Sequence, residues 1–273
     1  MSKKPLTRDE QFLAKAAGDD VPMPKPLTRV QEFLERIVER LSGSVTEETL
    51  SNAIAPLNAS IAQLSRKTIQ FRHGKGTFTA TATGTNVVWQ YGEQQAQGSN
   101  CTFDVKSDNG LICIDFDSIT SLTVSDDAAL KMCLSDLGGK ITNALGLSGC
   151  TNITGDLSDL GGKITNFLSL YGCTNVTGDL SDLGGKITNI LSLGNCTNIT
   201  GIYTGTTYPK MFTVSRTSIT AADMDANLIN FAASGVKSGK FTAAGMKRTA
   251  ASDNAVATLV ANGWTVSGLT KEG

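Results

Sequence analysis

The most regular feature of the chain is a pattern of apolar and polar positions that recurs every 23 residues from Leu134 to Gly201. Its three copies begin at Leu134, Leu157 and Leu180, and each starts with Leu-Ser-Asp-Leu-Gly-Gly-Lys-Ile-Thr-Asn and later contains Cys-Thr-Asn. A unit of this length cannot bury an apolar face by itself and does so by stacking on its neighbour. The pattern therefore predicts a solenoid of stacked coils.

Each coil is expected to contain one β-strand, because the residues alternate from Ile164 to Leu170 as a strand requires. The positions that hardly vary between the copies are assigned to the interior: Ile164, Asn166, Leu168 and Leu170. One helical turn is expected at Asp179–Leu183, ended by the following Gly-Gly pair. The stacked coils then predict a parallel sheet on one side, with a short segment of each coil leading back along the opposite side.

The outward strand positions are where the three copies differ. They form a candidate binding face that comprises Ala144, Phe167, Tyr171 and Ile190. Because large apolar patches on a protein surface usually mark contacts, we interpret this face as a site for a partner or a second protomer. The alternative is that a loop from another part of the chain covers it.

The segments on either side of the repeats have different patterns of apolar and turn residues. Residues 67–126 predict a small antiparallel β-domain, with a hairpin of Cys101–Val105 and Leu111–Phe116 joined at Asn109-Gly110. The repeats and their flanks, 127–210, predict the solenoid. Residues 211–273 alternate strand and helix signals, with Thr220 as a helix cap, and predict an α/β cap for the solenoid.

The first 43 residues contain a second, fainter repeat. Pro-Leu-Thr-Arg occurs at Pro5 and again at Pro26, each time followed by Phe-Leu, with a proline spacer between. This predicts two short amphipathic helices with capping boxes and no core of their own, which is typical of a disordered leader or of a docking peptide. As a docking peptide, its candidate contact residues are Leu6, Thr7, Phe12, Leu13, Leu27, Thr28, Phe33 and Leu34.

Residues 44–66 carry apolar residues at alternating spacings of four and three, which is a coiled-coil seam interrupted by Pro56. The seam residues are Leu50, Ile54, Leu57, Ile61 and Leu64. They predict either an oligomerising neck or a helix packed on its own domain. The expected fold class is thus α+β and multi-domain: a helical anchor and short coiled coil, a β-domain, a leucine-rich-repeat-like solenoid and an α/β cap.

Composition excludes several functional classes. The formal net charge is -1, and no stretch combines clustered Lys or Arg with aromatic residues, so nucleic-acid binding is not expected. No signal peptide and no 18-residue apolar span is found, which predicts assembly in a cytoplasm without membrane insertion. The single histidine, His73, lies between polar and glycine residues and is interpreted as a surface residue.

Candidate chemistry is sparse. The six cysteines form no Cys-x-x-Cys pair, and Cys150, Cys173 and Cys196 are expected about 5 Å apart in successive coils. They are interpreted as a column of buried thiols, with a metal or disulfide ladder as the alternative. Asp156 and Asp159 recur with Lys163 and are interpreted as a solvated charge ladder. No catalytic motif is found, so neither an enzyme nor a cofactor is expected.

Two resemblances bear on function. The repeats resemble the cysteine-type leucine-rich repeat, Leu-x-Leu-x-x-Cys-x-x-Ile-Thr. The Pro-Leu-Thr-Arg leader resembles that of head fibre proteins of tailed bacteriophages, including the crAss-like group, and the closing Ala-Ser-Asp-Asn-Ala-Val-Ala-Thr-Leu is similar to phage and gut-bacterial surface repeat proteins.

The second resemblance implies a virion protein whose N-terminus attaches to the major capsid protein or another shell protein. It also implies that the distal part projects outward, usually as a homotrimer, and adheres to host or mucosal surfaces. A tail or baseplate fibre and a bacterial leucine-rich-repeat adhesin are the alternatives.

Overall fold

The computed structural model describes residues 67–272 and the isolated Ala55. The predicted docking segment and its contact residues lie outside the described residues, and so do the five seam residues. The described residues from Lys67 onward belong to one compact unit.

The strands form two large mixed sheets. In spatial order, the sheet of eight contains β14 (Asn198–Thr200), β12 (Asn175–Asp179), β10 (Ile153–Asp156), β8 (Leu130–Cys133), β1 (Lys67–His73), β6 (Gly110–Phe116), β3 (Val88–Tyr91) and β4 (Gln94–Gln97). The sheet of nine contains β17 (Thr265–Lys271), β16 (Lys240–Arg248), β15 (Met211–Thr213), β13 (Ile190–Ser192), β11 (Phe167–Ser169), β9 (Ala144–Gly146), β7 (Ser118–Thr123), β2 (Gly76–Thr85) and β5 (Asn100–Val105).

Helices are few in the described part of the chain. The α-helices are α1 (Leu134–Leu137), α2 (Ala221–Ala233) and α3 (Asp253–Ala261), and three 3-10 turns span Leu157–Leu160, Leu180–Leu183 and Ala250–Ser252. Helix α2 begins where the sequence predicts, because the Asp223 backbone N–H donates to Thr220 Oγ1 at 3.1 Å. None of the helices in residues 67–272 is long and apolar enough to cross a membrane.

The three copies of the repeat stack in register, one repeat apart. Leu168 lies between Leu145 and Leu191 in the parallel ladder of β9, β11 and β13, and all three side chains are buried. The short helical turn expected after each strand is also present, as Leu157–Leu160 and Leu180–Leu183. Identical residues therefore occupy identical positions in successive coils.

Each coil contains a second strand that was not predicted from the sequence. β10, β12 and β14 form their own parallel ladder in the sheet of eight. Gly155 and Gly178 lie within these strands at φ +106° and +123°. A Cβ at Gly178 would lie 2.8 Å from the backbone nitrogen of Leu157, so the close approach of neighbouring coils requires glycine here.

The expected fold class, an α+β chain with a separate β-domain, solenoid and cap, is wrong. The fold is mainly β: the sheet of nine runs through all three of those segments, and the sheet of eight runs through the first two. β7 pairs antiparallel with β2 and parallel with β9, and β15 pairs parallel with both β13 and β16. The end strands of a repeat array carry unpaired N–H and C=O groups, and the flanking segments satisfy them by extending the sheets.

The predicted hairpin of β5 and β6 is also wrong, because the two strands belong to different sheets. β5 pairs with β2 in the sheet of nine, whereas β6 pairs with β1 and β3 in the sheet of eight. Both strands bury alternate residues, among them Phe103 on β5 and Ile114 on β6, in one core between the sheets. Packing these two apolar faces against each other buries more surface than placing them side by side.

Candidate binding face

The residues of the predicted binding face lie together on the outer side of the sheet of nine. Ala144, Phe167 and Ile190 are paired in register as the first residues of β9, β11 and β13. The column continues to Met211 on β15, which is 39% exposed. Met211 was not predicted as part of this face, because it lies beyond the last copy of the repeat, where the period no longer identifies its position.

Two aromatic rings on this face pack on glycines of neighbouring strands. Tyr171 is 44% exposed, and its ring covers Gly194, where a Cβ would come within 2.8 Å of a ring carbon. The half-buried ring of Phe167 lies over Gly146 in the same way, at 3.4 Å. Each ring is thus supported from below by a residue without a side chain.

Amide side chains form a row beside the apolar column. Asn143 and Asn189 are exposed and Asn166 is half-buried, so the prediction that Asn166 faces the interior is wrong. The reason is local, since the N–H groups of Asn166 and Phe167 both donate to the carbonyl of Asn143, at 3.1 and 3.2 Å. Two consecutive N–H groups pointing the same way break the alternation on which the prediction depended.

Hydroxyl groups form the next row of the face. It contains Thr123, Ser169, Ser192, Thr213 and Thr242, which are paired in register from β7 to β16, with Gly146 between the first two. Ser148 and Ser169 lie 2.6 Å apart, oxygen to oxygen. None of the outward residues of β9, β11 and β13 is charged, and the nearest charge in the apolar column is Lys240 on β16.

The cysteines of the repeat are structural, as interpreted. Cys150, Cys173 and Cys196 are free and fully buried, and their Sγ–H groups donate to carbonyls of the preceding coil. The distance is 3.1 Å from Cys173 Sγ to Leu147 O and 2.9 Å from Cys196 Sγ to Leu170 O. Burial raises the pKa of Cys150 to about 11 and that of Cys196 to about 12, so both remain thiols near neutral pH.

His73 is a buried residue, so the interpretation as a surface residue is wrong. It is 1% exposed, and its Nε2 lies 2.9 Å from a carboxylate oxygen of Asp127. Asp127 also accepts the backbone N–H groups of Ala129 and Leu130 at 3.0 and 3.1 Å. The pair joins β1 to the start of β8, and no pattern in the sequence connects two residues 54 positions apart.

The repeated carboxylates do not form a solvated charge ladder. Asp156 accepts from the N–H and hydroxyl of Ser158 at 3.0 and 2.8 Å, while Asp159 accepts from the N–H of Asp156 at 2.9 Å. These contacts are a capping box for the 3-10 turn. The hydrogen bonds from Ser158 lower the pKa of Asp156.

Comparison with known proteins does not identify the chain. No protein-family model matches it, and no curated protein or solved structure matches it either. Within residues 67–272, no three His, Cys, Asp or Glu side chains lie close enough together to hold a metal ion. The chemistry of the outer face is therefore the main guide to what the described unit does.

Proposed function

We propose that the chain is a structural virion protein: a head fibre of a tailed bacteriophage, without a catalytic role. Residues 1–43 attach it to the major capsid protein or to another protein of the shell. The unit that begins at Lys67 projects outward from the particle. Support for this attachment comes from the tandem Pro-Leu-Thr-Arg leader and its resemblance to the leaders of such proteins.

One observation supports an outward, contact-making role for the described unit. Its repeats are almost identical in buried and capping positions, yet they differ at the half-buried outward positions Ala144, Phe167 and Ile190. A constant frame with a varied outer face is what a display protein needs, because the frame preserves the fold while the face makes the contact.

Attachment is tested by particle incorporation. Deletion of residues 1–43, or Asp substitution of Leu6, Phe12, Leu27 and Phe33 together, is expected to remove the protein from purified particles. The Tyr171→Ala variant is the matched control and is expected to be incorporated at the normal copy number. Particles that retain the protein after residues 1–43 have been deleted would overturn the proposal.

Self-association is proposed from the same resemblance, with three copies per fibre. The solution mass of the purified full chain, measured by sedimentation equilibrium, tests this directly. A monomer at micromolar concentration would contradict it.

A further inference from the structure

We propose that the outer face of the sheet of nine binds an extended, uncharged glycan that lies across the strands. The face is defined by Asn143, Asn166, Asn189, Phe167, Tyr171 and Ser192. This inference rests on the proposed outward role of the unit and adds to it the class of ligand.

The aromatic rings supply the apolar part of the site. Tyr171 packs one side of its ring on Gly194 and is still 44% exposed, so the remaining ring surface is open to a ligand. The C–H faces of a pyranose ring are apolar and flat, and they stack on an aromatic face much as another ring would. The phenolic hydroxyl adds a polar group at the edge of the same surface.

The amide row supplies the polar part. Asn166 and Asn189 are not fully buried, and their side chains form no hydrogen bond with any other residue in 67–272, whereas Asn143 Nδ2 donates to Ser121 Oγ at 3.3 Å. Each amide offers two donors and an acceptor, which suits a sugar hydroxyl that both donates and accepts. Successive amides lie one strand spacing apart, about 4.8 Å, so a repeating ligand across the strands meets the same group in each coil.

The absence of charge selects the kind of glycan. The outward residues of β9, β11 and β13 are Ala, Gly, Phe, Ser, Ile and Ser, none of which is ionisable. An anionic polysaccharide would lose the hydration of its charges on these three strands without gaining a cationic partner there. A neutral glycan has no such cost.

The amide row also argues against a second copy of the chain as the occupant. A protein partner would cover Phe167 and Met211, but it would also bury the free amides of Asn166 and Asn189. Buried amides without hydrogen-bond partners are unfavourable, so a second copy would have to align its own amide row with this one to pair them. A ligand rich in hydroxyl groups satisfies them.

The test measures binding of the purified full chain to soluble neutral polysaccharides (mannan, amylose and oligomers of N-acetylglucosamine), with heparin and polysialic acid as charged comparisons. We expect at least one neutral glycan to bind, and a hexasaccharide to bind more tightly than the monosaccharide. Tyr171→Ala and Asn166→Ala are each expected to weaken binding about 3- to 10-fold, the range for one stacked ring or one hydrogen-bonded group.

Two further variants make the test specific. Gly194→Ala displaces the Tyr171 ring without removing it, and Gly194 does not have a positive φ, so we expect weaker binding with an unchanged fold. Thr154→Ala removes an exposed hydroxyl of the same repeat array on the sheet of eight and is expected to leave binding unchanged.

Three outcomes would overturn the inference: no neutral glycan binds, the glycan binds equally well to Tyr171→Ala, or the face pairs with a second copy, seen as a dimer mass that Phe167→Asp abolishes. Failure of capsid attachment is a separate result. It would appear as particles that keep the protein after residues 1–43 are deleted, whether or not the purified chain binds a glycan.

Discussion

Tyr203 offers the most direct test of how the repeats are joined to the C-terminal segment. Its ring is fully buried, and its hydroxyl accepts the backbone N–H of Ile187 at 3.1 Å. Its own backbone N–H donates to Asn227 Oδ1 on α2 at 2.8 Å. The side chain therefore satisfies a backbone group of the third repeat from a position just after it.

Tyr203→Phe removes that hydroxyl and keeps the ring. The ring contacts with Phe212 and Phe231, at centroid distances of 6.2 and 6.1 Å, do not involve the hydroxyl and remain. The Ile187 N–H is left in an interior without water, since Ile187 is also fully buried. An unsatisfied buried donor costs about 1–3 kcal/mol, so the free energy of unfolding should fall by that amount.

Urea denaturation followed by circular dichroism measures the loss. The midpoint should fall while the slope with urea concentration stays the same, because the surface exposed on unfolding does not change. Tyr208→Phe is the matched control: Tyr208 contacts the same aromatic cluster, but its hydroxyl makes no hydrogen bond within residues 67–272. Its effect should stay within about 0.5 kcal/mol.

The burial of the Tyr203 hydroxyl also affects how stability depends on pH. Burial raises the pKa of Tyr203 to about 12, above the usual value of 10.0. The neutral phenol is thus favoured by folding, so its contribution is complete below pH 10 and is lost as the pH rises towards 12. The wild type should lose stability in this window more steeply than Tyr203→Phe. A stability loss no larger than that of Tyr208→Phe would refute the hydrogen bond assigned to Tyr203, and equal pH dependence of the two proteins would refute the burial of its hydroxyl.

Four further outcomes are expected. Cys173→Ala should lower the free energy of unfolding by about 1–2 kcal/mol, because it removes a hydrogen bond and leaves a small cavity. Cys173→Ser should lower the free energy of unfolding less, and urea midpoints measure both changes. Deletion of residues 157–179, one whole repeat, should leave a folded protein with an unchanged circular dichroism spectrum per residue. Deletion of residues 157–178 is one residue short of a repeat and should not leave that fold intact. Asp225→Asn should lower the free energy of unfolding by about 1–3 kcal/mol, because the buried carboxylate accepts from Ser252 Oγ at 2.5 Å and Thr249 Oγ1 at 2.6 Å. Burial by itself raises the pKa of Asp225, but the hydrogen bonds from Ser252 and Thr249 and the charge of Arg248 outweigh it. The lowered pKa means that the wild type loses this stabilisation as the pH falls into the acid range and Asp225→Asn does not, which acid titration of the two proteins would reveal. Finally, Phe167→Asp should leave the melting temperature within a few degrees of the wild type, because the ring lies on the outer face; a collapse of the fold would show that Phe167 belongs to the core.

Much of the repeat array is determined by sequence alone. The 23-residue period sets the register of the coils, because only in-register stacking brings Leu145, Leu168 and Leu191 into one buried column. The same period identifies Phe167 and Tyr171 as outward positions. Helix α2 was also predictable, since the Thr220 cap is a local hydrogen-bond pattern.

Other features were decided only by tertiary structure. A strand pattern states which face of a strand is buried, but not which strand will pair with it, so β5 and β6 were assigned to one sheet and occupy two. The hydrogen bond between His73 and Asp127 and the glycines beneath Phe167 and Tyr171 depend on contacts between distant segments. The outward amide of Asn166 depends on a local break in alternation. The physical reason is common to all of them. The spacing of apolar residues indicates which positions are buried, whereas strand pairing and hydrogen bonding depend on which groups the fold brings together.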